Sequence, residues 1–595
     1  MSQEIIKWDL SDFYENINDP QIDHDISDLR TAANKFNENI KGKLTNPELS
    51  ANQLLMWFKE YERILEKLTY LAFYSQLVYS TNNLDDQIKS FHSKIDDFSV
   101  DIQQDLVFFE LELNNIDEKK YNFFLQDDKL KKYHHELKFI RSKRPHQLSE
   151  KEEQLILMKD ITGVNGFVKL YNEIKSGFIF DFEVDGKMKK LTESEVFSYM
   201  YQADRNLRQK ALSTIMKKYQ KYDLVFTHIY NNVMKDWDLE TKKKKFESPI
   251  SRRNFQNEIS DKAVEILGEV TTKSNSIVEE YYNLKRKILE LSELHIFDMY
   301  APVGEISKKY SYNEAIELIK KITKIFHPDF EKIINHMYNK EHIDVTPRKG
   351  KNRGAYCEFG KLDHYPYVFV NYVNNIDSVL TLAHELGHAI HAYYIQKEQN
   401  FINLGLSLVV AETASIFNEM LTFDTLLKTD LSKEEKISLL CNFLESNFAT
   451  SHRQNAFYRF EKRIHKLLSE RLATKDDIKS IFIEEMKNMF GNSMQDLEKD
   501  YKNYIYIISH FLHAPFYVYA YNMSNLLVIA LYQKYLEEGE KFASKYIKLL
   551  SIGKSKSPEA MLSEIGIDLN DPSFWERGIE YLSERVKELK DLIEN

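Results

Sequence analysis

The sequence predicts a mainly α-helical protein, on three observations. Only 17 glycines and 11 prolines interrupt 595 residues, while 43% of residues are hydrophobic. Turn formers are therefore scarce and core formers plentiful, a balance that favours helices over a turn-rich β architecture. Apolar residues also recur at helical spacing with charged residues between them, as in Leu54, Phe58, Tyr61, Ile64, Leu65 and Leu68. The length exceeds one ordinary compact core, so two or more domains or one multilobed unit are expected.

Residues 22 to about 165 keep the helical period and read as a helical assembly. The stretch 178–187 instead alternates and ends in Asp185-Gly186, so a hairpin is expected near 178–192, with a seam between lobes there. That divides the chain into an N-terminal helical lobe, 1–192, and a second lobe, 193–595. The helical period resumes over 193–340, with interruptions at 242–257 and at Pro302. Residues 349–375 change character: 355–359 and 367–372 are aromatic and β-branched, the pattern of two paired short strands. The second stretch either offers an edge to an extended peptide or is an ordinary buried strand. Asp377 or Ser378 is placed to cap the next helix, 379–396, which contains no proline.

Charge and cysteine content exclude several classes. The 92 acidic and 81 basic residues are mixed along the chain and leave a net charge of -11, which argues against nucleic acid as a partner. The run Lys242-Lys243-Lys244-Lys245 is short and isolated and reads as a solvated loop. Cys357 and Cys441 give no disulfide framework, and Met1-Ser2-Gln3-Glu4-Ile5-Ile6-Lys7 lacks a basic-then-apolar export signal. No apolar run approaches the roughly 20 residues that cross a bilayer. The expectation is a cytoplasmic monomer without a membrane partner.

The chemistry concentrates in His384-Glu385-Leu386-Gly387-His388. On a helix, His384 and His388 project from one face a turn apart, near enough for both imidazoles to hold one ion, with Glu385 beside them. This is the zincin arrangement. Among 18 histidines a chance match is conceivable, so the surroundings decide. Leu382, Ala383, Leu386, Gly387, Ala389 and Ile390 make the helix apolar and small-sided, where unpartnered polar groups are costly. Zinc needs a third protein ligand if one position is to stay open. The metzincin pattern fails, because positions 391 and 394 are His391 and Tyr394. Of the downstream acids, Glu398 sits at the end of the motif helix beside Lys397 and Gln399 and reads as solvated. Glu412 lies among Val409, Val410, Ala411, Ala414, Ile416 and Phe417, where a buried acid needs a counter-charge that zinc supplies. Glu419, two helical turns on, either accepts the free N–H of a ligand histidine or is an exposed ion-pairing acid. His391 is read as packing or as support behind the ligands.

His384-Glu385-Leu386-Gly387-His388 followed by Glu412-Thr413-Ala414-Ser415 resembles the M3 family of metallopeptidases, in its oligoendopeptidase F branch. The resemblance extends to Trp8-Asp9-Leu10-Ser11-Asp12-Phe13-Tyr14, to Gly354-Ala355-Tyr356-Cys357, and to His510-Phe511 through Pro515-Phe516-Tyr517-Val518-Tyr519. It implies a two-lobed helical ellipsoid enclosing a deep substrate cleft, with a small β element next to the metal helix. It further implies one zinc ion on His384, His388 and Glu412, general base work by Glu385, and hydrolysis of internal bonds in short unstructured oligopeptides. The family places a His and one or two Tyr across the zinc; His510, Tyr517 and Tyr521 are the favoured positions, with His513 and Tyr519 behind. With 36 tyrosines in the chain, at least one of the three late tyrosines is expected to be a core residue. Tyr517 and Tyr521 share a face if this segment is helix.

Three alternatives stand beside this reading. The first is a zinc carboxypeptidase or dipeptidyl carboxypeptidase on a related helical scaffold. The second is a peptide- or zinc-binding protein without activity, which the intact Glu385 and the late His/Tyr set oppose. The third is a cysteine hydrolase on Cys357 or Cys441, neither of which has a recognisable partner.

Overall fold

The structure is a computed structural model that describes residues 5–362 and 364–594. Met1-Ser2-Gln3-Glu4, on which part of the export-signal reading fell, lies outside the described residues. Helices account for most of the chain, as the composition predicts. Among the described residues the only sheets are a two-stranded hairpin and a three-stranded sheet, and no helix is long and apolar enough to cross a membrane.

The chain groups into two compact units, each assembled from three segments: Met1–Pro145, Lys308–Lys428 and Lys534–Ile567 in the first, His146–Ser307, Thr429–Gln533 and Asp568–Asn595 in the second. This grouping does not follow a single division at 192/193, because each core is closed by segments far apart in sequence. The first unit opens with helices Pro20–Ile40, Ala51–Thr81 and Asp86–Asn115. Their apolar stripes bury Phe36, Phe58 and Phe109 in one cluster, with Phe58 and Phe109 edge to face at 5.4 Å. Ser50 starts the second of these helices with a capping box, accepting from the Gln53 N–H while the Gln53 side chain accepts from its own.

The hairpin of the second unit pairs Phe180–Val184 with Lys187–Leu191, inside the expected 178–192. Asp185 and Gly186 both have positive φ, 52° and 72°, which is the reason Asp-Gly serves this two-residue turn. The lysine run departs from expectation. Lys242 and Lys243 are the last turn of helix Asp223–Lys243, where cations meet unpaired carbonyls, and Lys243 and Lys244 pair with Glu152 and Glu153. It is a neutralised helix end rather than a solvated loop.

The small sheet belongs to the first unit. Its order is Ile343–Asp344, Tyr367–Phe369, Tyr356–Glu358; the first pair is parallel and the second antiparallel. Both expected strands are present, each shorter than the sequence suggests. Of the two readings of the second stretch, the buried strand holds: Tyr367–Phe369 is the buried central strand, and the free edge belongs to Tyr356–Glu358. A buried ionic knot locks the sheet. Lys351 and Asp344 have fully buried side chains 2.6 Å apart, Arg348 forks onto Asp344 at 2.7 and 2.8 Å, and Lys351 Nζ also donates to Val370 O at 2.6 Å. Burial outweighs Asp344 and pulls the Lys351 ammonium down to about 8.

Removing one member of such a knot strands buried charge. Asp344→Ala is expected to cost about 3–5 kcal/mol of stability, read as a lowered urea midpoint at unchanged slope. A midpoint equal to that of the unaltered protein would show the knot to be energetically idle.

Candidate metal centre

Helix Ile376–Glu398 carries the His-Glu-Leu-Gly-His motif. It begins three residues earlier than expected: Asn375, not Asp377 or Ser378, is the cap and accepts from the Ser378 N–H at 2.9 Å, while Ser378 Oγ accepts from the Val373 N–H. Its apolar residues Val379, Leu382, Ala383, Leu386, Ala389 and Ile390 are buried.

Gly387 sets the packing against the next helix, Thr413–Leu427. A Cβ there would lie 2.4 Å from Ala414 O and 2.6 Å from Ser415 Cα, so only glycine permits the approach. Asn418 donates to the carbonyl of Ala383, one residue before the first histidine, and fixes the two helices in register. Glu412 therefore sits at the entrance of the second helix, as its N-cap with ψ 6°, and not inside a helix as the apolar run suggested. Ser415 Oγ reaches back to Glu412 Oε2 at 2.7 Å and steadies the carboxylate. Asn418 escaped the sequence reading, and Ser415 was quoted there only within the motif, without a role. The signal for that role was its spacing three residues after Glu412.

The result is one converging site. Glu412 Oε2 lies 3.2 Å from His384 Nε2 and 3.3 Å from His388 Nε2, and ligand atoms of the three residues all fall within 4.8 Å of one another. Zinc arms of about 2.0–2.1 Å at tetrahedral angles separate ligand atoms by about 3.3 Å, so the donor set fits that ion. Each of the three side chains keeps between 22% and 38% exposure, which leaves a side open. His384 Nδ1 is 3.0 Å from Glu419 Oε2. With an ion in place, a proton held between them would leave Nε2 its lone pair for the metal, the tautomer a metal ligand needs; without one, both ring nitrogens face carboxylates. Burial opposes a charge on His384, but the hydrogen bonds to Glu412 and Glu419 carry it up to about 10. Burial likewise resists charge on Glu412, but the two histidines hold its carboxyl well below the usual range. The pocket draws positive charge by construction.

Glu385 is 6% exposed, and its Oε2 has no hydrogen-bond partner among the described residues. Burial raises its carboxyl above the usual range, against the pull of His384 and His388. His391 is buried, with burial holding it down at about 3, so it stays neutral. Glu398 is exposed at the helix end, as expected.

The late candidates gather in the second unit. Tyr521 Oη is 3.4 Å from His510 Nε2, and the rings of Tyr517 and Tyr521 meet edge to face at 5.0 Å. Tyr517 precedes helix Tyr519–Glu538, so the shared helical face is not what joins it to Tyr521; an irregular turn through Phe516, at φ 57°, does. Tyr519 is the core tyrosine, 1% exposed, its hydroxyl accepting from Asn257 Nδ2 at 2.8 Å. His513 faces outward against Asn172. Burial, then the neighbouring His513, lowers His510 and keeps its ring neutral.

Known proteins match over the same ground. A family model described as peptidase family M3 matches residues 198–581, and one described as oligopeptidase F matches 112–180. Oligopeptidase PepF of Bacillus subtilis is 28% identical over 560 residues, 93% of this chain and 82% of that protein. The oligoendopeptidase F homolog of Borreliella burgdorferi is 27% identical over 599 residues, 99% of this chain and 98% of that one. Among solved structures, a candidate peptidase of Chlamydophila abortus superposes with a TM-score of 0.87 at 24% identity, covering 98% of each chain. Oligoendopeptidase-F of Enterococcus faecium does so at 0.71 and 20% identity, covering 96% and 99%.

Glu419→Ala removes the group that orients His384 and leaves all three ligand atoms in place. Zinc affinity, measured by competition with a chromophoric chelator, is expected to fall about 10–100-fold. Unchanged affinity would assign Glu419 to surface pairing alone.

Proposed function

The chain belongs to peptidase family M3, and from that membership we propose that it hydrolyses internal bonds of short, unstructured oligopeptides with one zinc ion on His384, His388 and Glu412. It is a metallopeptidase. The observation that carries the site assignment is the convergence of Glu412 Oε2 on both imidazole Nε2 atoms at 3.2 and 3.3 Å.

When bound, zinc supplies Lewis acidity toward a water molecule and a peptide carbonyl. The remaining work falls to side chains of this protein. Glu385, adjacent to both imidazoles and with a carboxylate oxygen free of protein partners, takes a proton from the attacking water and delivers it to the leaving amine nitrogen. His510, Tyr517 and Tyr521 are proposed as donors to the oxygen that gains negative charge; losing one such donor typically costs on the order of 3 kcal/mol. The neutral ring of His510 and the two phenols suit that task, because each offers a hydrogen without bringing a fixed charge.

The free edge at Tyr356–Glu358 is where an extended peptide would add as a further strand. Val368 and Val370 give their N–H groups to His342 O and Asp344 O on the far side of the sheet, so Cys357, opposite Val368, turns its own N–H and C=O outward. Main-chain pairing there would give affinity with little dependence on side chains. The reading keeps the enzyme a cytoplasmic monomer with oligopeptides as partners and neither nucleic acid nor membrane. The acidic balance and the two free cysteines are in keeping with it. The relatives named oligopeptidase and oligoendopeptidase favour it over a carboxypeptidase or dipeptidyl carboxypeptidase.

Glu385→Gln is expected to retain one zinc per chain while kcat on an internally quenched peptide drops by roughly 10²–10⁴. A rate equal to wild type would remove Glu385 from the mechanism. Peptides blocked at both termini are expected to be cleaved by the wild-type enzyme; refusal of them would restore the exopeptidase alternative.

A further inference from the structure

Glu358 ends the free-edge strand Tyr356–Glu358, directly opposite Tyr367. Side chains alternate along a strand, so Glu358 shares a face with Tyr356 and lies opposite in sense to Cys357. The face is fixed by contacts: Tyr356 stacks on Phe369 at 5.0 Å and 17°. Two residues beyond Glu358, Gly360 abuts helix Ala51–Thr81 so tightly that a Cβ would meet Phe73 Cζ at 2.6 Å and Thr69 Cγ2 at 2.9 Å. Cys357 points the other way, toward the motif helix, where Glu385 is the first charge to act on its thiol. The strand thus stands between the general-base candidate and the N-terminal helices.

Glu358 is only part-exposed, and no hydrogen bond or ion pair engages its carboxylate among the described residues. Its neighbours along the chain differ. Glu66 accepts from the Leu362 N–H, and Lys361 lies over the Tyr70 ring at 4.2 Å, so neither serves Glu358. Burial, with no opposing cation, pushes its carboxyl up to about 7. A half-buried acid on a free sheet edge beside a peptidase site is an incomplete ion pair.

Register says what completes it. A peptide residue that exchanges hydrogen bonds with the outward N–H and C=O of Cys357 puts its own side chain on the Cys357 face. The adjacent residue then turns its side chain to the face of Tyr356 and Glu358, and opposite side chains on one face lie about 5 Å apart. Resting on the function proposed above, we propose that Glu358 forms a subsite for a cationic side chain, Lys or Arg, on the substrate residue next to the one that pairs with Cys357. An acidic residue at that position is excluded by the same carboxylate, so the subsite discriminates in both directions.

The test uses the zinc-loaded enzyme and a set of internally quenched peptides, identical except for Lys, Gln or Glu at each position flanking the cleaved bond. The wild type is expected to prefer Lys to Gln about tenfold in kcat/KM at one position only, with Glu poorest there. Glu358→Gln is expected to bring that ratio to about one, and Glu358→Lys to make Glu the best residue. Circular dichroism and melting curves establish that both variants are folded. The same Lys and Gln peptides are titrated into zinc-loaded Glu385→Gln by fluorescence anisotropy, which reads the preference as a ratio of Kd values without turnover. A Lys preference absent at every position, or one that survives Glu358→Gln, overturns the subsite. Failure of the enzyme to cleave any peptide, with the Kd preference intact, overturns the proposed reaction and leaves the subsite standing.

Discussion

At Gly387 the helix Ile376–Glu398 presses against the start of the helix Thr413–Leu427 with no room for a side-chain carbon, and the metal centre depends on that contact. One helix supplies two imidazoles and the other a carboxylate. Neither could bring them together alone, because ligands on one helix share a face but cannot surround an ion. The close approach places Glu412 at a helix entrance, where its backbone leaves the helical path and its side chain turns across to both rings. Ser415, Asn418 and Glu419 then hold the carboxylate, the motif-helix backbone and His384 respectively. Their cost in buried polarity is offset only when the centre holds positive charge.

Much of this was legible in the sequence, for reasons that are local. The spacing of His384 and His388 reports the helix and its ligand face together. The acid at 412 stands out as the one charged residue in the run 409–417, which is otherwise apolar but for Thr413 and Ser415. What remained hidden was non-local. The cap at Asn375 won over Asp377 because its side chain reaches the Ser378 N–H, a choice among nearby polar residues that spacing does not rank. Apolar composition placed Glu412 inside a helix, whereas the helix begins only at Thr413. Edge and buried strand stayed open alternatives for Tyr367–Phe369 because its central position depends on the two-residue strand Ile343–Asp344, too short to show a period. The hairpin at Asp185-Gly186, by contrast, was readable because its turn chemistry is written in two adjacent residues.

The sheet and the site share an economy of parts. The ionic knot of Lys351, Asp344 and Arg348 ties the strand Ile343–Asp344 to the end of the central strand, and the edge strand is aligned on that frame. Under the proposed function, substrate affinity is a property of backbone geometry, while the chemistry is a property of three ligands and one base. Separating the two would let the enzyme accept varied sequences, with selectivity left to the proposed subsite at Glu358.

The central claim concerns which atoms hold the ion, and X-ray absorption at the zinc edge reads them directly. For the purified protein loaded with one zinc per chain, the account predicts two imidazole nitrogens and carboxylate oxygen at about 2.0–2.1 Å, with no sulfur. Cys357 lies on the strand beside the motif helix and is the nearest competing thiol by sequence and sheet position. A sulfur shell at about 2.3 Å, or a spectrum unchanged when Glu412 is replaced by alanine, would contradict it.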